Sequence, residues 1–114
     1  MLIVKKNTLS FNGGDVVLTK HEYRMFEFLL INVKGGDADY NTMISYVWGA
    51  RKCVVSLNTV SQLAYRVRAK LKSIGIPVTI KISQHEGPGL IAEKRLAVIK
   101  KGNGIFDWRF YFLS

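Results

Sequence analysis

Arg66, Arg68 and Lys70 recur at alternate positions in a stretch that also carries Asn58, Thr59, Ser61, Gln62 and Tyr65. Together these residue types suit a polyanion that displays bases. A guanidinium engages a guanine edge or a phosphate with two bonds, carboxamides pair with adenine, and hydroxyls reach phosphate and sugar. Catalytic chemistry finds much less support. The acids Asp15, Glu22, Glu27, Asp37, Asp39, Glu86, Glu93 and Asp107 are dispersed, and only Asp37 and Asp39 stand close together. No P-loop, dinucleotide fingerprint or nucleophile motif is present. His21 and His85 lie far from other metal-type ligands in sequence,. The chain is therefore not expected to be an enzyme, and no cofactor or metal is expected.

The surroundings of the basic stretch strengthen the polyanion reading. Between Asp39 and Glu86 there is no acid, while Arg51, Lys52, Arg66, Arg68, Lys70, Lys72 and Lys81 fall inside that interval. A solvated surface ordinarily mixes charge signs, so a run of one sign calls for an opposite charge nearby. A formal net charge of +9 and a pI near 9.9 point to nucleic acid or an anionic membrane surface. With 48% hydrophobic residues, the 114-residue chain can bury a core. Cys53 is the one cysteine, so no intrachain disulfide forms and a reducing compartment is expected. Neither a signal peptide nor an apolar run long enough to span a bilayer is expected.

The basic residues need a rigid carrier, and Ser56–Ser73 provides one. Val60, Leu63, Ala64, Val67, Leu71 and Ile74 recur at three- and four-residue steps, forming one helical stripe toward a core,. Ser61, Gln62, Tyr65, Arg66, Arg68, Lys70 and Lys72 occupy the other face. Ser56, Asn58 or Thr59 serves as N-cap.

Upstream, LIVKK, TLSF and DVVL read as strands of a small antiparallel sheet, with Asn12-Gly13-Gly14-Asp15 as hairpin punctuation,. Thr19 and Glu22 match a capping box that opens a helix near Lys20 and carries it to Lys34, where Lys34-Gly35-Gly36 stops it. Asp37 to Tyr40 reads as a loop. Asn41 or Thr42 caps a second helix, TMISYVW, which Gly49 ends, and Ala50 to Val55 reads as a loop. After the third helix, VTIKIS and LIAE form a hairpin around a turn over His85-Glu86-Gly87-Pro88-Gly89. In the tail, LAVIKK and IFDWRFYFLS flank Gly102-Asn103-Gly104, which predicts a second hairpin. Its aromatic ribbon also fits a membrane-proximal segment or a dimer interface.

The chain resembles the winged-helix DNA-binding domain of OmpR/PhoB-type regulators, including the membrane-anchored ToxR-like group. The matching residues are Leu18-Thr19-x-x-Glu22-Tyr23, Leu29-Leu30-x-Asn32, Val47-Trp48-Gly49, Thr59-Val60, Arg66-x-Arg68-x-Lys70-Leu71 and Gly87-x-Gly89. The resemblance implies that the third helix reads bases in the major groove. It also implies that Trp48 and the helix ends touch phosphates, and that the loop bearing Arg51 and Lys52 faces RNA polymerase. Glu86 stands where the family carries a basic residue and Leu90 where it carries Tyr, which leaves Lys81 and His85 as the candidate wing contacts.

The expected fold is α+β: a winged helix-turn-helix with an N-terminal antiparallel sheet, three helices and a C-terminal hairpin wing. Residues 1–93 would form the DNA-binding domain and residues 94–114 a tail. No receiver domain is expected ahead of it. The expected function is duplex DNA binding by a bacterial transcriptional regulator, through Trp48, Asn58, Thr59, Ser61, Gln62, Tyr65, Arg66, Arg68, Lys70, Lys81 and His85. The competing expectation is a winged-helix module that binds protein instead. Promoter DNA, RNA polymerase and a homodimer or partner regulator at the tail are the expected partners. The expected location is cytoplasmic, with a tether to the inner membrane if the chain is a fragment.

Overall fold

A computed structural model describes residues 1–33, 39–83 and 85–114, without the side chains of residues 51–53. The chain runs β1 (Leu2–Lys5), β2 (Thr8–Phe11), β3 (Gly14–Val17), α1 (Lys20–Ile31), α2 (Tyr40–Trp48), a 3-10 helix (Gly49–Val54) and α3 (Leu57–Ser73). It continues as β4 (Val78–Ser83), β5 (Gly87–Ala92), β6 (Leu96–Lys101) and β7 (Trp108–Leu113). This is an α+β fold with three α-helices, one five-stranded sheet and one two-stranded hairpin.

The first three strands are joined by two tight turns. Lys6 and Asn7 take positive φ in the first, and Asn12 and Gly13 in the second. Two successive positive φ values give the turn type that matches strand twist, and Asn-Gly is its strongest sequence signal. Lys6-Asn7 carries no glycine and reads weakly in the sequence. The expected antiparallel sheet becomes mixed, because β6 pairs with β1 in parallel, Leu2 opposite Val98. β7 then folds back antiparallel on β6, so the order is β3-β2-β1-β6-β7. This long-range parallel pairing leaves no local signature in either strand.

Side chains alternate across a strand, which divides the sheet into two faces. Leu2, Val4, Leu9, Leu96, Val98 and Leu113 are buried on the inner face beside Met25, Phe26, Leu29 and Leu30 of α1. Residues 94–114 thus contribute side chains to the same core as β1 and α1. Ile3, Lys5, Ala97, Ile99, Trp108, Phe110 and Phe112 lie on the outer face, where the three aromatics are exposed.

Several boundaries differ from expectation, each for a local reason. α1 stops at Ile31 because Asn32 turns back on it, its Nδ2 donating to Phe28 O at 2.8 Å. The expected Lys34-Gly35-Gly36 stop lies outside the described residues. α2 starts at Tyr40, since Asp39, not Asn41 or Thr42, is its N-cap and accepts the Thr42 N–H at 2.7 Å. The expected loop after Trp48 is largely 3-10 helix, entered through Gly49 at φ 57° and ψ −120°, a conformation only glycine adopts readily,. Gly87, Pro88 and Gly89 belong to β5 and not to a turn, pairing with Ser83, Ile82 and Lys81. A proline is tolerated there because a two-stranded hairpin has only edge strands.

Candidate nucleic-acid interface

α3 is held in place at both ends. Ser56 Oγ accepts the Thr59 N–H at 3.2 Å, which satisfies one of the unpaired donors of the first turn,. At the other end Gly75, at φ +76°, donates to Lys72 O while Ile76 N–H reaches Leu71 O. That pair of bonds is a Schellman stop, and Ile76 is buried,. Between the caps Val60, Leu63, Ala64, Val67 and Leu71 are buried. The opposite face exposes Asn58, Ser61, Gln62, Tyr65, Arg66 and Lys72, and α3 carries no acid anywhere along its length.

The structure separates the predicted cations by task. Arg66 is 59% exposed, with Nε 3.6 Å from Glu22 Oε2, so its guanidinium is largely presented to solvent. Arg68 lies on one flank of the helix, and its Nε donates to Ile80 O of β4 at 2.9 Å. Lys70 lies on the other flank, its Nζ donating to Glu22 Oε1 at 2.6 Å and to Val17 O at 3.0 Å. Arg68 and Lys70 thus brace α3 against the hairpin on one side and against β3 and α1 on the other. Lys72 has no ion-pair partner among the described residues.

Glu22 joins these elements. It is only 2% exposed and closes the capping box of α1, accepting the Thr19 N–H at 2.8 Å. Burial pushes its carboxyl pKa up, but the bonds from Lys70 and Thr19 outweigh that and hold it below the ordinary 4.5,. A buried carboxylate is sustained here because the Thr19 N–H and Lys70 Nζ both donate to it. Glu27 behaves similarly on the next turn of α1. Burial raises its pKa, while the Tyr46 hydroxyl and Lys100 Nζ, 3.0 Å away, hold it below 4.5. Burial and the Glu27 charge push Tyr46 up to about 12, and burial raises Tyr23 further.

The β4–β5 hairpin adds less positive charge than its sequence suggests. Lys81 is exposed but forms an ion pair with Glu86 of the turn, which reduces its net field at the tip. His85 is exposed in the turn, its N–H held by Ser83 Oγ at 3.3 Å. Tyr40 of α2 donates to Ser83 O at 2.8 Å and so fixes the hairpin against the helices. Trp48 is half-buried at the end of α2 and packs on His21, with ring centres 5.6 Å apart. The side chains of Arg51 and Lys52 lie outside the described residues.

Asn58, Ser61, Gln62, Tyr65 and Arg66 are therefore brought onto one exposed face. Thr59 is half-buried in the capped first turn. Lys70, Lys81 and Arg68 are placed in contacts of their own, and Trp48 and His85 lie on other elements. Sequence reasoning missed two features. The sequence marks Glu22 only as part of a cap, since its pairing with Lys70 spans 48 positions. A groove of about 660 Å³ beside the end of α3 is lined by Arg68, Lys72 and Lys94, with Glu93 as its one acid. Lys94 adjoins it through the fold alone. Among the described residues no group of His, Cys, Asp and Glu could hold a metal ion, and no helix is long and apolar enough to cross a membrane. No family model matches the chain, and no curated protein matches it in sequence.

Proposed function

We propose that this chain is a winged-helix domain that binds duplex DNA, with α3 in the major groove and the β4–β5 hairpin as the wing beside it. The observation that carries this reading is the outward face of α3. It offers Asn58, Ser61 and Gln62 for base edges and Arg66 and Lys72 for phosphate, on a helix that carries no acid of its own and is fixed at both caps and along both flanks. An α-helix fits the major groove, and a rod that is already rigid loses little freedom on docking. Tyr65, 69% exposed, reaches phosphate or sugar from the same face. Arg68 and Lys70 position the helix instead of reading DNA.

The pattern of residues shared with OmpR/PhoB-type regulators supports the same reading and suggests a bacterial transcriptional regulator acting in the cytoplasm at promoters. In that setting the segment bearing Arg51 and Lys52 would meet RNA polymerase. The Lys81–Glu86 pair favours a second reading, in which the fold binds an acidic protein and does not use the hairpin on DNA.

The test is binding of the chain to a mixed pool of duplexes across a salt series. With some five phosphates neutralised, log K falls against log salt with a slope of about −4 to −5. Arg66→Ala reduces that slope by about 1 and weakens binding while leaving the melting temperature unchanged. Folded protein with no salt-dependent DNA binding would favour the protein-binding reading.

A further inference from the structure

The turn between β6 and β7 carries the two most exposed large apolar side chains among the described residues, Ile105 at 82% and Phe106 at 93%. Neither contributes to the core, and each leaves a large apolar surface in water. Behind them, on the outer face of the sheet, Trp108, Phe110 and Phe112 of β7 are also exposed. Ile3 of β1 and Ile99 of β6 continue that face through the pairs Ile3–Ile99 and Ile99–Phe110.

Cations surround the turn end of this apolar face. Lys5 Nζ and Lys101 Nζ lie 5.7 and 5.8 Å from the Trp108 ring centre, close enough for cation-π attraction,. Lys6 joins them around a recess of about 500 Å³ that Gly102 and Asn103 complete. Asp107, the one acid in the turn, is drawn to Arg109 at 3.8 Å. Exposed apolar tips, a tryptophan at their base and a ring of lysines form the pattern of a surface that meets lipid at the headgroup boundary.

We propose that this end of the sheet docks on an anionic phospholipid bilayer. Ile105 and Phe106 enter the acyl boundary, Trp108 lies at headgroup level, and Lys5, Lys6 and Lys101 hold lipid phosphates at the recess. Charge complementarity selects this partner over a second copy. Two copies meeting along β7 would bring the same lysines together, whereas an anionic leaflet neutralises them. Duplex DNA would satisfy the lysines but would leave Ile105 and Phe106 in water. The face is separate from α3, so this inference does not depend on the DNA reading.

Co-sedimentation of the chain with vesicles tests it, using phosphatidylcholine alone and phosphatidylcholine mixed with phosphatidylglycerol. The expected result is binding to the mixed vesicles and little to the neutral ones. Ile105→Ser/Phe106→Ser keeps the formal charge and alters only exposed side chains. It lowers the partition coefficient at least about tenfold while circular dichroism and DNA binding match the parent. Lys5→Gln and Lys101→Gln each lower it about fivefold. Equal binding of the Ile105→Ser/Phe106→Ser variant would overturn the proposal, because attraction would then need only a basic surface. Absence of parent binding to the mixed vesicles would overturn it too. So would a parent dimer that the same variant dissolves, which would assign the turn to a second copy.

Discussion

Two basic regions of this molecule treat their charges in opposite ways. On α3 two of the four cations are tied inward, Arg68 to a β4 carbonyl and Lys70 to buried Glu22, and the other two remain presented. At the β6–β7 end of the sheet, Lys5, Lys6 and Lys101 gather beside Trp108 and the recess at the turn, with no carboxylate within ion-pair distance of them among the described residues. A positive residue in sequence is therefore not yet a positive surface. What it becomes depends on whether the fold ties its charged group to an acceptor or leaves most of it in solvent, as at Arg66.

The sharpest way to break this contrast is to remove the acid that ties α3 inward. Glu22→Ala is expected to cost about 3 to 4 kcal/mol, read as a fall in the urea midpoint, because it deletes a buried, hydrogen-bonded partner of Lys70 and the Glu22 half of the α1 capping box. Lys70→Met is expected to cost about 2 kcal/mol by the same measurement. It should leave DNA affinity per folded molecule within about twofold of the parent, whereas a groove-contacting role for Lys70 would show as a larger loss.

Arg66→Ala should do the reverse. Its stability change is expected to stay within about 0.5 kcal/mol, with DNA binding weakened by about 1 to 2 kcal/mol in titrations at fixed salt. A loss of stability without a loss of binding would place Arg66 with the inward-tied group. Glu86→Gln gives the smallest effect, and in the opposite direction. Releasing Lys81 should steepen the salt slope by up to about 1 and strengthen binding severalfold if the hairpin lies along DNA.

Acid probes the two carboxylates of α1, and alkali probes the tyrosine that donates to one of them. Glu22 and Glu27 have folded pKa values below their ordinary 4.5. The stability they add is present above pH 4.5 and lost as pH falls through those lower values. Tyr46 shifts the other way. Its contribution is intact below pH 10 and is lost as pH rises toward about 12. Thermal melts across pH should therefore fall at both ends, and Glu22→Ala should flatten the acid side.

Much of the fold was legible where the determining interactions are local. The Thr19–Glu22 capping box, the apolar stripe of α3, the Asn12-Gly13 turn and the alternation in β4 all appear in the structure at the expected residues. The candidate site was legible as a composition but only partly as an arrangement. The outward face of α3 followed from helical period, while Arg68 and Lys70 belonged to the polar half of that period and still ended in contacts with distant elements. The acid-free interval was real in sequence, yet Glu22 and Glu86 from outside it supply counter-charges in space.

By itself the sequence determined where the three α-helices and the cores of the strands lie and which helix faces are apolar, because those properties depend on neighbours a few residues apart. Tertiary structure decided that β6 lies parallel to β1, that Glu22 meets Lys70, and that three lysines line one recess at the β6–β7 turn. Each of these joins residues tens of positions apart, and only the packing of the whole core brings them within reach.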